Sequence, residues 1–116
     1  MRTFAQALDL VDDPAMIAEY EEHHRRVWPE VVRALHGIGI ARMRIWRLGT
    51  RLFMVYEAPE GFSPERDYQA YAADPRCREW DDLMRKYQRR APGAPSGSWW
   101  APMGEVFDLA RCEGRA

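Results

Sequence analysis

The chain has 116 residues, 47% of them hydrophobic, and its 17 Lys and Arg nearly balance 18 Asp and Glu for a net charge of −1. That length carries one domain, residues 1–116, with a modest core, and the even balance argues against a nucleic-acid partner, which calls for a basic face. Cys77 and Cys112 are too few for a disulfide framework, the histidines offer no metal-ligand spacing, no apolar run spans a membrane, and the N-terminal stretch lacks a secretory signal's apolar core. A cytoplasmic protein without a metal is the expectation. The aromatic content stands out: five Trp, five Tyr and four Phe exceed what so small a core needs.

Residues 3–11 alternate imperfectly and predict a strand. Asp13 followed by Pro14 has the form of an N-cap with proline at the first helical position, and the helix so opened runs to about Leu35. Pro29 interrupts it, removing one internal hydrogen bond, so the helix should kink or restart after Trp28. Gly37 and Gly39 close it. Over residues 40–48, Ala41, Met43 and Ile45 alternate with Arg42, Arg44 and Trp46, the pattern of a half-buried strand. Gly49-Thr50 signals a tight turn, and residues 51–57 form the partner strand of a hairpin.

Ser63-Pro64 and Asp74-Pro75 repeat the cap-plus-proline device. The first opens a short helix through Tyr68 and Tyr71; the second opens a helix over about 75–88, with Cys77, Trp80, Met84 and Tyr87 at helical spacing. Asp81 and Asp82 read as first-turn helix residues favoured by the dipole. Residues 91–98, rich in Pro, Gly and Ser, make a loop. Trp99-Trp100 follow, residues 105–109 form a last strand, and the tail frays from Ala110.

The order strand, helix, strand, strand, helix, strand is the α+β, ferredoxin-like βαββαβ arrangement, an antiparallel sheet with helices on one face. Its other face stays bare in a single copy and carries either the Met43/Ile45 row or the Arg44/Trp46 row. A bare, partly apolar face marks an interface or ligand site, and a homodimer is the expected solution.

One stretch concentrates the chemistry. On a helix, residues four apart share a face, so Tyr20, His24 and Trp28 stack within the apolar stripe of Ile17, Val27, Val31 and Leu35. His23 falls to one side, and Arg25 and Arg26 point to solvent. A histidine gives and takes protons near neutrality; a core histidine with satisfied ring nitrogens fits the same spacing. Trp80 offers an apolar face suited to the C–H face of a sugar ring, or plain core packing. Tyr20 carries a hydroxyl for a hydroxylated ligand or for the core's rim. No nucleophile elbow is present.

The motif Tyr20-x-x-x-His24-x-x-x-Trp28-Pro29-Glu30 resembles the signature of the L-rhamnose mutarotase family. Asp74-Pro75-Arg-Cys77-Arg-Glu-Trp80 is similar to that family's segment ending in Cys-x-x-Trp, and Glu105-Val106-Phe107 resembles its last strand, so the resemblance covers about residues 3–109. It implies a dimeric α/β-barrel enzyme that interconverts the anomers of a 6-deoxy-L-hexose by acid–base ring opening, without cofactor or metal. By position, His24 matches the family's catalytic proton donor, and Tyr20 and Trp80 match sugar-binding positions. Two positions depart: Asp81 stands where the rhamnose enzymes carry a second Trp, and Met43 where they carry a sugar-binding Tyr. Both are expected at the sugar, which makes L-fucose a candidate beside L-rhamnose. Two other readings suit the same chain. One is a cofactor-free monooxygenase or cyclase of the dimeric barrel class; the other is a non-catalytic ligand-binding dimer.

Overall fold

A computed structural model describes residues 1–112. Strand β1 (Arg2–Leu10) leads into helices α1 (Pro14–His24) and α2 (Pro29–Gly37), then strands β2 (Arg42–Leu48) and β3 (Arg51–Ala58). Helices α3 (Pro64–Ala73) and α4 (Pro75–Arg85) follow, then two-residue strands β4 (Gln88–Arg89) and β5 (Ala101–Pro102), and a 3₁₀ turn at Leu109–Cys112. The strand order is β2-β3-β1-β4, antiparallel throughout, with β5 also on β1. This is the expected ferredoxin-like order, with its last strand reduced to two short pieces. β4 pairs with Asp9 and Leu10 and β5 with Gln6 and Ala7, one after the other along the same edge of β1.

The local causes are those of the residue types. Gly49 takes φ +60° at the first position of the β2–β3 loop, a conformation that a side chain disfavours there. The Asp13 carboxylate accepts from the backbone N–H of Ala15 and Met16 at the start of α1, and Asp74 does the same for Arg76 and Cys77 at the start of α4.

Period-2 alternation then sorts the sheet. Leu8, Leu10, Leu52, Met54, Tyr56 and Ala58 are buried beneath the helices, and cross-strand pairing of Met43 with Tyr56 and Ile45 with Met54 puts the Met43/Ile45 row on that same face. The bare face therefore belongs to Arg44 and Trp46, whose guanidinium and indole stack at 4.6 Å, together with Phe53, Val55 and Ala5.

Five expectations need correction. The helix from Pro14 does not run on to Leu35 without a break: it ends at His24, residues 25–28 are not helical, and a second helix restarts at Pro29, directly after Trp28, as the proline led one to expect. Trp28 is extended at φ −58°, ψ 134°, as a residue before proline must be, so it no longer shares a helix face with Tyr20 and His24. The helix expected over 75–88 stops at Arg85, because the chain turns at Lys86 and Tyr87 to place β4 on β1. Nor are Asp81 and Asp82 first-turn residues: α4 starts at Pro75, which puts Asp81 in its interior. The strand expected over 105–109 is not formed. The last bond to β1 after β5 is the Met103 N–H to the Ala5 carbonyl at 2.8 Å, and past Gly104 the chain leaves the sheet with Val106 99% and Phe107 67% exposed. Of the tail expected to fray from Ala110, residues beyond Cys112 lie outside the described ones.

Candidate active site

A cavity of about 510 Å³ lies between the helices and the sheet, within the roughly 300–1,000 Å³ of small-molecule sites. It is walled by the buried face of the sheet (Gln6, Met43, Ile45, Met54, Tyr56) and by all four helices. Trp99 and Trp100, from the loop before β5, close its remaining side. Tyr20, His24, Met43, Trp80 and Asp81 all line it.

His24 is the last residue of α1, and its ring folds back so that Nδ1 lies 2.9 Å from the Tyr20 carbonyl. A carbonyl only accepts, so Nδ1 carries a proton and the neutral ring leaves Nε2 as a bare acceptor. Burial pushes the His24 pKa below its ordinary value; the Tyr20 carbonyl works against that shift, and the neighbouring His23 reinforces it. At neutral pH His24 is therefore an uncharged base. The Tyr20 ring stacks at 4.3 Å on the His24 ring. Burial raises the Tyr20 hydroxyl to about 12, partly offset by a hydrogen bond from the Gln88 side chain. Tyr20 thus stays an O–H donor throughout the physiological range.

Trp80 forms the aromatic wall beside His24, the two rings 5.5 Å apart in an edge-to-face arrangement. Trp28 braces Trp80 from outside the cavity at 5.3 Å and is itself capped by the Arg76 guanidinium at 3.9 Å. Although the helix break removes Trp28 from the stripe, it rejoins the site through Trp80. His23 sits behind this wall: Nε2 is 3.1 Å from the Tyr87 hydroxyl, and the ring meets the far side of Trp80.

Asp81 faces the cavity from α4, next in sequence to Trp80, and its Oδ1 accepts a 2.9 Å hydrogen bond from the Tyr71 hydroxyl of α3. Burial raises its pKa above the usual carboxylate range, while the Tyr71 hydrogen bond and the Arg85 charge pull it back. Tyr68 and Tyr71, both in the lining, are held neutral by burial and by the Asp81 charge.

Sequence reasoning missed Gln6, Gln88, Tyr68, Tyr71, Arg85 and Ser98, which supply much of the cavity's polarity. For Gln6 a signal existed: it has the parity of Leu8 and Leu10, so it is an amide on a buried face. Among the described residues its amide nitrogen meets a weak acceptor, the Met54 thioether at 3.2 Å, which a better one could replace. Among the described residues, no group of three or more His, Cys, Asp or Glu could hold a metal.

The L-rhamnose mutarotase family matches the chain over residues 3–109. A UPF0734 protein of Dictyostelium discoideum is 49% identical over 112 residues, covering 93% of this chain and 90% of its own. An L-fucose mutarotase of Xanthomonas campestris is 41% identical over 112 residues (95% and 90% covered), and an L-rhamnose mutarotase of Acidiphilium cryptum is 34% identical over 100 residues (84% and 89%). The fold is that of an L-rhamnose mutarotase from Formosa agariphila, with a TM-score of 0.69, 20% identity, and 93% and 98% of the two chains covered. It is also that of the tetracenomycin F2 cyclase of Streptomyces glaucescens, at 0.61, 19%, and the same coverage; these two likenesses speak for architecture alone. The match across nearly the whole chain makes this protein a member of the L-rhamnose mutarotase family, the carbohydrate isomerases that interconvert sugar anomers.

Proposed function

We propose that the protein interconverts the α and β pyranoses of a 6-deoxy-L-hexose, L-fucose ahead of L-rhamnose, with His24 moving the proton. One observation carries this reading: His24, its Nδ1 turned to the Tyr20 carbonyl and its pKa lowered by burial, lines the same cavity as an aromatic wall and a set of tyrosine hydroxyls. Ring opening requires a proton taken from the anomeric hydroxyl and one delivered to the ring oxygen; closure on the other face of the aldehyde reverses both. Because the two directions are equivalent, a group that accepts on opening donates on closure. Trp80 suits the sugar's C–H face, and Tyr20 its hydroxyls. The reaction already proceeds in water, so an acid–base gain of about 10²–10⁴-fold is a useful one.

The preference for L-fucose rests on Met43 and Asp81. Where the family pattern has a Tyr and a second Trp, this cavity has a thioether and a carboxylate, and the two sugars differ in hydroxyl configuration. The 41% identity to an L-fucose mutarotase points the same way. Saturation-transfer NMR on both sugars tests the reading. Faster anomer exchange on L-fucose is expected, and no acceleration with either sugar would refute the assignment.

The working unit in this reading is a homodimer that buries the bare sheet face, where Trp46 is 47% exposed beside Phe53 and Val55. The exposed segment carrying Val106, Phe107 and Leu109 adds apolar surface for the second copy. The compartment is the cytoplasm, which suits the free thiol of Cys77.

A further inference from the structure

Ring opening needs two groups that exchange protons, and His24 is one. We propose that Asp81 is the other, a catalytic acid and base of the same cavity held in place by the Tyr71 hydroxyl. This assignment rests on the mutarotase reading and gives its cavity a second reacting group.

Elimination among the ionisable residues of the lining leads to Asp81. Tyr20, Tyr56, Tyr68 and Tyr71 all have their hydroxyls raised by burial and do not release protons near neutrality. Arg85 stays protonated and is tied to Asp82 at 2.6 Å. His23 is no part of the lining and has its Nε2 engaged by Tyr87. Asp81 remains. Tyr71 takes up Oδ1 and so fixes the carboxyl plane, which leaves Oδ2 for a ligand.

The environments of the two groups complement each other. His24 is pushed down by burial and by His23; Asp81 is pushed up by burial and by Asp82, with Tyr71 and Arg85 opposing. Tyr68 and Cys77 also feel the Asp81 charge. Burial thus favours the uncharged form of each group, a neutral imidazole at His24 and a carboxylic acid at Asp81, which is the base-plus-acid combination that ring opening needs in one cavity.

The step balances without any further reagent. His24 Nε2 takes the proton from the anomeric hydroxyl, the C1–O1 bond becomes a carbonyl as the bond from C1 to the ring oxygen breaks, and Asp81 gives its proton to that oxygen. The products are the open-chain aldehyde, an imidazolium and a carboxylate. Rotation about C1–C2 presents the other face; ring closure returns one proton to O1 from His24 and the other to Asp81.

Asp81→Asn, which keeps shape and the Tyr71 contact, tests this through the pH dependence of anomer exchange measured by saturation transfer on L-fucose and L-rhamnose. Wild type should give a bell, since the active form holds one proton on the pair: at low pH there is no base, at high pH no acid. In Asp81→Asn, kcat should fall about a hundredfold with KM within threefold, and the alkaline limb should vanish while the acid limb from His24 stays. Tyr71→Phe removes a contact that favours the carboxylate, so its alkaline limb should move to higher pH while the acid limb from His24 stays in place. Full kcat in Asp81→Asn, or a loss confined to KM with the bell intact, overturns the catalytic role and leaves the mutarotase reading standing. No exchange in wild type overturns both.

Discussion

At the residue scale, His23 and His24 are adjacent in sequence yet face different surroundings, and they should separate cleanly. His24→Ala removes Nε2 from the cavity and should abolish nearly all anomer exchange. His23→Ala loses the bond to Tyr87 and the edge contact with Trp80 but removes no group from the cavity, so exchange should stay within about threefold while stability drops by about 1 kcal/mol; saturation transfer and urea unfolding read the two effects. Equal losses of exchange would sink this division of roles. The sign of the acid limb follows from His24 being depressed: the base is active above its folded pKa and lost as pH falls through it, so activity should persist below pH 6.5, the ordinary histidine value. A limb centred above 6.5 would contradict this. Tyr20 and His24 were legible because residues four apart share a helix face. Asp81 was legible only as a departure from the family pattern. Its working environment comes from Tyr71 on another helix, and no spacing within α4 reports that.

At the scale of elements, the site depends on where helices begin and end. His24 reaches the cavity as the terminal residue of α1, and Trp80 because Asp74 starts α4 one and a half turns earlier. Asp74→Ala removes the cap on Arg76 and Cys77 and should lower stability by about 1 kcal/mol, seen as a lower urea midpoint at constant m-value. An unchanged midpoint would mean the cap is dispensable. The Asp13-Pro14 and Asp74-Pro75 starts, the hairpin turn and the strand parities were readable because each is set by local chemistry; at Ser63-Pro64 the helix starts as expected, but the serine side chain makes no cap hydrogen bond. The split edge strand was not. β4 and β5 are two residues each, too short for any period, and both owe their existence to the free edge of β1. The segment 105–109 erred the other way, with a strand-like pattern and no partner strand among the described residues.

At the scale of the whole molecule, the helices cover one face of the sheet and leave Trp46, Phe53 and Val55 on the other. Val55→Arg should convert the proposed dimer to a monomer in sedimentation velocity, whereas a wild type that sediments as a monomer would refute the dimer outright. The sequence had narrowed this face to two rows of β2; cross-strand register with β3 was needed to choose between them. The placement of the indoles has a consequence of its own. Trp80, Trp99 and Trp100 wall the cavity, while Trp46 sits on the opposite side of the sheet. Ligand binding and self-association should therefore perturb separate emitters, so that with Trp46→Phe the remaining intrinsic fluorescence becomes a label-free gauge of sugar occupancy.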